Sequence, residues 1–141
     1  MAEIKWAESA HHLPIEAFSP NPKNPKKHTK KQLEHIRNSI LHFGFLDPIG
    51  VWGKEHVVVE GHGRLEALKQ LVQDGKIRIP AEGVPCIMLD HLSKRDRDAY
   101  MLEHNQSTME TPWDDDLLDD VLGDIADEGL DMEQFGFDDP Q

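Results

Sequence analysis

Glu60-Gly61-His62-Gly63-Arg64 sets three ionisable side chains and two glycines in five consecutive positions. Before it stand Val57, Val58 and Val59, a β-branched run that predicts a buried strand. After it come Leu65, Leu68, Leu71 and Val72, apolar at helical spacing. A helix opening just after a strand and a glycine turn points unpaired backbone N–H groups outward, and the positive end of its dipole favours an anion. Gly61 and Gly63 let a phosphate approach the backbone with no Cβ in the way. Arg64 supplies a charge-assisted, bidentate-capable donor, and His62 a hydrogen bond or a proton relay near neutral pH. Glu60 can hold Mg²⁺ through an oxygen or act as a general base. The same residues also admit a plain reading: a glycine turn, a helix-start histidine and a surface acid.

A second group lies upstream. Lys23, Lys26, Lys27, Lys30 and Lys31 occur with no acidic residue between Ala17 and Leu33. Such a run predicts either a solvated lysine-rich loop or a contact for nucleic-acid phosphates. His28, His35 and His42 recur every seven residues. On one helix the last two stand about 10 Å apart, too far to share a metal, and are read as polar-face residues.

The elements that must position these groups follow from local signals. Residues 1–20 read as a short strand or extended lead-in anchored by Leu13, Ile15 and Phe18. Asn21 to Thr29 is broken by prolines and cannot be regular. Thr29 and Gln32 form a capping box, Leu33, Ile36, Ile40 and Phe43 make one apolar stripe, and Gly44 stops the helix. Two strands are expected at Ile49–Trp52 and His56–Glu60, joined through Gly53-Lys54-Glu55, then a helix from His62 to Gln73. Pro80 and Pro85 bracket a loop, and Cys86–Leu89 is a third apolar strand. Ser93-Lys94-Arg95-Asp96 opens a helix carrying Tyr100, Met101 and Asn105. After Pro112, Asp114 to Glu128 predicts an acidic amphipathic helix with Leu117, Leu118, Val121, Leu122 and Ile125 on its inner face.

The whole chain has 141 residues and a formal net charge of −12, unevenly spread. Residues 1–81 carry +3 and residues 82–141 carry −15. A basic arm near the front and an acidic rear matter more than the sum. No stretch approaches the roughly 18 apolar residues of a membrane span, and no signal-peptide pattern opens the chain. The single cysteine, Cys86, cannot form an internal disulfide, which fits a reducing cytoplasmic setting.

These residues resemble the ParB-like nuclease family, whose fold is shared with sulfiredoxin. The resemblance runs in order through the Asn-Pro segment, Phe43-Gly44-Phe45, Pro48-Ile49, Glu60 to Leu65, Val84-Pro85-Cys86, Leu89 to Ser93, and Ala99-Tyr100 with Asn105. Trp113-Asp114 and Gly136-Phe137-Asp138 resemble the ParB-like domains of phages and other mobile elements, some of them attached to DNA methyltransferases. It implies an α/β (α+β) fold: a small mixed sheet flanked by helices over residues 1–110, with an acidic helical extension, 111–141, packing on the same domain. In partition ParB proteins the equivalent junction reads Gly-Glu-Arg-Arg and grips CTP. Gly61 and Arg64 match; His62 and Gly63 replace the Glu and first Arg, a departure that bears on CTP hydrolysis and the clamp mechanism. Where sulfiredoxin has its catalytic cysteine this chain has His62. Free-serine kinases of the superfamily have Asp-Gly-His-His-Arg, with Glu60 here in the Asp position.

The resemblance implies a nucleotide-phosphate-binding module in phage or mobile-element DNA transactions. CTP or ATP with Mg²⁺ would be the ligand, held by Gly61, His62, Gly63 and Arg64. Asn21, Asn24, Lys26 and His28 would close over it from the arm, and Glu60 would position the metal or water. Glu60, His62 and Arg64 are the catalytic candidates; nuclease or NTPase activity rests on the family label and on no motif here. DNA would meet the arm lysines. The alternatives are a non-catalytic interaction module for a DNA-processing partner such as a methyltransferase, with the acidic helix docking on a basic surface, and a small-molecule (serine-type) kinase. The apolar tail residues Leu130, Met132, Phe135 and Phe137 leave a homodimer open.

Overall fold

The computed structural model describes residues 2–24, 26–110 and 112–137. Pro25 of the Asn-Pro segment, Thr111 at the expected domain boundary, and Asp138 of the tail motif lie outside the described residues. Four strands, β1 (His11–Leu13), β2 (Ile49–Trp52), β3 (Val57–Glu60) and β4 (Val84–Met88), form one mixed sheet in the order β1-β4-β2-β3. The β1–β4 and β2–β3 pairs are antiparallel, and β2–β4 is parallel. Four helices accompany them: α1 (Lys30–Phe43), α2 (His62–Gln73), α3 (Lys94–Glu110) and α4 (Asp115–Asp127). This is the small mixed sheet with flanking helices expected from the sequence.

The sheet is covered on both faces, which is why β3 reads as a continuous valine run rather than an alternating one. Ile49, Val51, Val58, Val84 and Cys86 pack on one face against Leu65 and Leu68 of α2, with Phe18 beside them. Val59 and Leu89 pack on the other face against Met101 of α3. Helix α1 lies on α2. Its start carries the capping box in full: Thr29 Oγ1 accepts from Gln32 N at 3.1 Å, and Gln32 Oε1 accepts from Thr29 N at 3.0 Å. Such a cap stabilises by about 1 kcal/mol. Gly44 closes the helix as expected.

One irregularity re-aims a functional side chain. In the β2–β3 ladder Val51 faces Val58 but Gly50 faces Glu60, so β3 holds one extra residue at Val59. Strict alternation would send Glu60 to the face of Val58. The bulge turns it to the opposite face, toward α3. Gly50 makes room for it there: a Cβ on Gly50 would stand 2.5 Å from Glu60 Cγ.

Several boundaries differ from the sequence expectation. His56 belongs to the turn, not to β3, with a φ of 54°. Pro85 lies inside β4 rather than bounding a loop; β2 begins its pairing one residue later, at Cys86, so the missing N–H is tolerated. Phe43 is 49% exposed and stacks its ring 5.0 Å from Phe135 instead of entering the core. On α4, Leu118, Leu122 and Ile125 are half-buried, but Leu117 and Val121 are 58% and 46% exposed. The expected five-residue inner face is therefore a three-residue one. The one-turn segment Met132–Phe135 contacts both α1 and α4, and Asn38 Nδ2 donates to its Gln134 carbonyl at 2.9 Å.

Candidate functional site

Helix α2 begins at His62 directly behind Gly61, whose φ of 95° and ψ of 21° place it in the left-handed region. That turn is tight: a Cβ on Gly61 would stand 2.8 Å from Ile49 Cδ1 and 2.9 Å from an Arg64 guanidinium nitrogen. No side chain caps the helix, so the backbone donors of its first turn have no internal side-chain acceptor. The arm then crosses this open end. The His28 ring lies so close over Gly63 that a Cβ there would meet its Cε1 and Nε2 at 2.8 Å. Between arm and helix is a cavity of about 260 Å³, lined by Asn24, Lys26 and His28 on one side and by Glu60 to Arg64 on the other.

The cavity has a third wall, contributed by His104, Asn105 and Thr108 of α3. His104 Nε2 lies 3.3 Å from Glu60 Oε2, and the Tyr100 hydroxyl donates to the same oxygen at 3.3 Å. Sequence reading placed Asn105 on this helix and assigned His104 and Thr108 no role. The signal available was slight: the apolar pattern of α3 stops after Leu102, and His104 and Thr108 follow four apart on one face.

Each expected site residue has a definite place. Glu60, Gly61, His62, Gly63, Arg64, Asn24, Lys26 and His28 come together around the cavity. Asn21 does not line it. It is 7% exposed, accepts the Lys23 N–H at 3.0 Å, and sets its amide nitrogen 3.5 Å from Met101 Sδ, pinning the arm to α3. Arg64 is partly committed to the fold: it donates to the Pro48 carbonyl at 3.1 Å, while its Nε is buried with no protein partner. Lys23, Lys27, Lys30 and Lys31 are exposed and do not line the cavity; of the arm lysines only Lys26 does. Among the described residues no group of three or more His, Cys, Asp or Glu gathers to hold a metal.

Both histidines of the cavity are shifted toward the neutral form. Burial, followed by the Lys26 charge, holds His28 below the ordinary imidazole range. His62 is also lowered, by burial and then by His28, with a hydrogen bond to the Val58 backbone opposing. His62 Nε2 is buried without a protein partner. Burial and then the Glu60 charge push the Tyr100 hydroxyl up, so it stays a donor. Two histidines kept neutral in the fold take up protons more readily once unfolded. Their contribution is complete above about pH 6.5 and is lost as pH falls through the lower folded values. The melting temperature should therefore fall between roughly pH 7 and pH 5, and the double variant His28→Gln/His62→Gln should flatten that fall. An unchanged pH slope in the double variant would remove these histidines as the cause.

Comparison with known proteins agrees with this architecture. The sequence model of the ParB N-terminal domain matches residues 2–105. The ParB-like nuclease domain-containing protein YnaK of Escherichia coli is 30% identical over 80 residues, covering 57% of this chain and 82% of that protein. The probable chromosome-partitioning protein ParB of Campylobacter jejuni is 37% identical over 62 residues, covering 42% of this chain but only 22% of that longer protein. Among solved structures, C-terminally truncated chromosome-partitioning protein ParB from Caulobacter crescentus, complexed with CTP-gamma-S, shares the fold. It has a TM-score of 0.60 and 22% identity, over 75% of this chain and 56% of that one. Among the described residues no helix is long and apolar enough to cross a membrane. With the sequence model of the ParB N-terminal domain matched over residues 2–105, this chain belongs to that family.

Proposed function

We propose that this chain binds the phosphates of a nucleoside triphosphate at the opening of α2, as a module for DNA transactions of a phage or mobile element. The observation that carries the reading is the cavity itself. A lysine- and histidine-bearing arm faces an uncapped helix start across about 260 Å³, and the missing Cβ of Gly63 lets the His28 ring pack against that start. Polyphosphate fits these residues: bared amides, Lys26, and the partnerless buried nitrogens of His62 and Arg64 are all donors or donor-capable. Mg²⁺ fits in its usual manner, through one carboxylate and the ligand's own oxygens, with Glu60 as that carboxylate. When bound it would neutralise phosphate charge beside Glu60. The exposed lysines at 23, 27, 30 and 31 are the DNA contact in this reading, to phosphates rather than bases.

CTP-gamma-S in the Caulobacter crescentus neighbour supports CTP as the first nucleotide to test, with ATP as its competitor. Isothermal titration with CTP and ATP, each with and without Mg²⁺, should show saturable binding of at least one. Lys26→Ala should weaken it about tenfold, as expected for losing one charge-assisted contact. No heat with either nucleotide, or equal affinity in the variant, would remove the arm from the site.

A second reading has its own support on α4. Trp113, just before α4, and Leu117 and Val121 on it are exposed, 66%, 58% and 46% accessible, among the exposed aspartates of that helix. That surface suits a basic face with an apolar socket on a DNA-processing protein, a methyltransferase for example. Under it the chain is a non-catalytic interaction module, and nucleotide titration would be silent.

A further inference from the structure

Glu60 is a wall of two cavities. Opposite the phosphate cradle lies a second one, of about 290 Å³, between the N-terminal lead-in and the end of β4. Ile87 and Leu89 give it an apolar floor, Trp6 stands at its mouth, and Tyr100 flanks Glu60 within it. The nucleotide reading leaves this space unused.

The chemistry of an occupant follows from what Glu60 lacks. Its side chain is only 20% exposed. The Tyr100 hydroxyl and His104 Nε2 both meet the same oxygen, Oε2, each at a long 3.3 Å, and Oε1 meets no hydrogen-bond donor among the described residues. A carboxylate offers about four acceptor sites, so Oε1, open to the cavities that Glu60 lines, is available to a donor. A ligand completing it must donate. An apolar floor asks that the donor sit on an apolar or aromatic body. At the rim Lys5 is already paired with Glu8 at 2.9 Å, and His91 is the remaining titratable group, so Glu60 supplies the excess charge of the cavity. That sign favours an ammonium over a hydroxyl, and both over an anion.

We propose that the cavity between the lead-in and β4 binds a small organic amine with an apolar body, its ammonium on the Glu60 carboxylate. Because the same carboxylate borders the phosphate cradle, neutralising it in metal-free buffer removes a repulsion felt by a polyphosphate, whereas Mg²⁺ would compete with the ammonium for Glu60. Amine and nucleotide then strengthen each other's binding by equal factors. This coupling rests on the nucleotide reading; the amine site does not.

The test uses the full chain in nucleotide-free buffer, with phenethylamine as probe and 3-phenylpropionate and 2-phenylethanol as controls. Phenethylamine should bind saturably in roughly the millimolar range, as its size allows, and shift the Ile87 methyl resonances. The alcohol should bind about tenfold more weakly and the anion not at all. Glu60→Gln, nearly isosteric, should weaken the amine at least about tenfold, and Tyr100→Phe by a smaller factor. Equal binding of amine and anion, unmoved Ile87 signals, or an unaffected Glu60→Gln variant would overturn the proposal. Titrating CTP afterwards in metal-free buffer, with and without the amine, reads the coupling: a silent CTP titration counts against the nucleotide site alone, and CTP binding unchanged by the amine counts against the coupling alone.

Discussion

Gly61→Ala should lower folding stability by about 3 kcal/mol, the sum of left-handed backbone strain and a forced contact in a packed place. The backbone at Gly61 has a φ of 95°, and the new methyl would come within 2.8 Å of Ile49 Cδ1. Ile49 is fully buried at the centre of the sheet and cannot retreat without moving its neighbours. The Arg64 guanidinium, 2.9 Å from the same point, would be pushed off the Pro48 carbonyl it now holds. Urea denaturation should show the midpoint moving while the slope stays constant, and the melting temperature should drop by about 10 °C. A loss under about 0.5 kcal/mol would mean the turn relaxes easily, and the claim of a rigid cradle would fail.

Gly63→Ala, two residues on, should have the opposite division of effects. Gly63 lies within the helix, where alanine is favoured by up to about 1 kcal/mol, so stability should hold or rise slightly. The methyl would occupy the place of the His28 ring, now 2.8 Å from it, and displace the arm from the helix start. Under the nucleotide reading, affinity should fall by about 30-fold, or ~2 kcal/mol, through a blocked approach to the amides and loss of the His28 contact. Titration of the folded variant measures this directly. A double-mutant cycle with His28→Ala divides the causes: if the methyl acts only by expelling His28, adding it to the His28→Ala background should change nothing further. Full affinity in Gly63→Ala would place the phosphates elsewhere.

Much of the scaffold was legible because its signals are local. The valine run, the glycine and the leucine spacing put a strand, a turn and the start of α2 at His62 from composition alone, and the capping box located α1 to the residue. The arm's approach to the junction was also anticipated, through Asn24, Lys26 and His28, although Asn21 serves as an anchor on Met101 instead. The misjudged outer face of α4 has a different origin. An amphipathic pattern says which side is apolar, but how much of that side finds a partner depends on what packs there.

The sequence by itself determined the kinds of element, their order and the glycine-bared start of α2, since each depends on residues within a turn or two of one another. Only the tertiary structure decided where Glu60 points and what it meets. Its direction comes from one extra residue in the pairing of β3 with β2, a slip that a two-residue period cannot reveal. Its neighbours Tyr100 and His104 arrive from a helix more than thirty residues away, whose polar face looks in sequence like any face turned to water. The chemistry of that carboxylate is therefore a property of long-range pairing, and the cavities on either side of it are too.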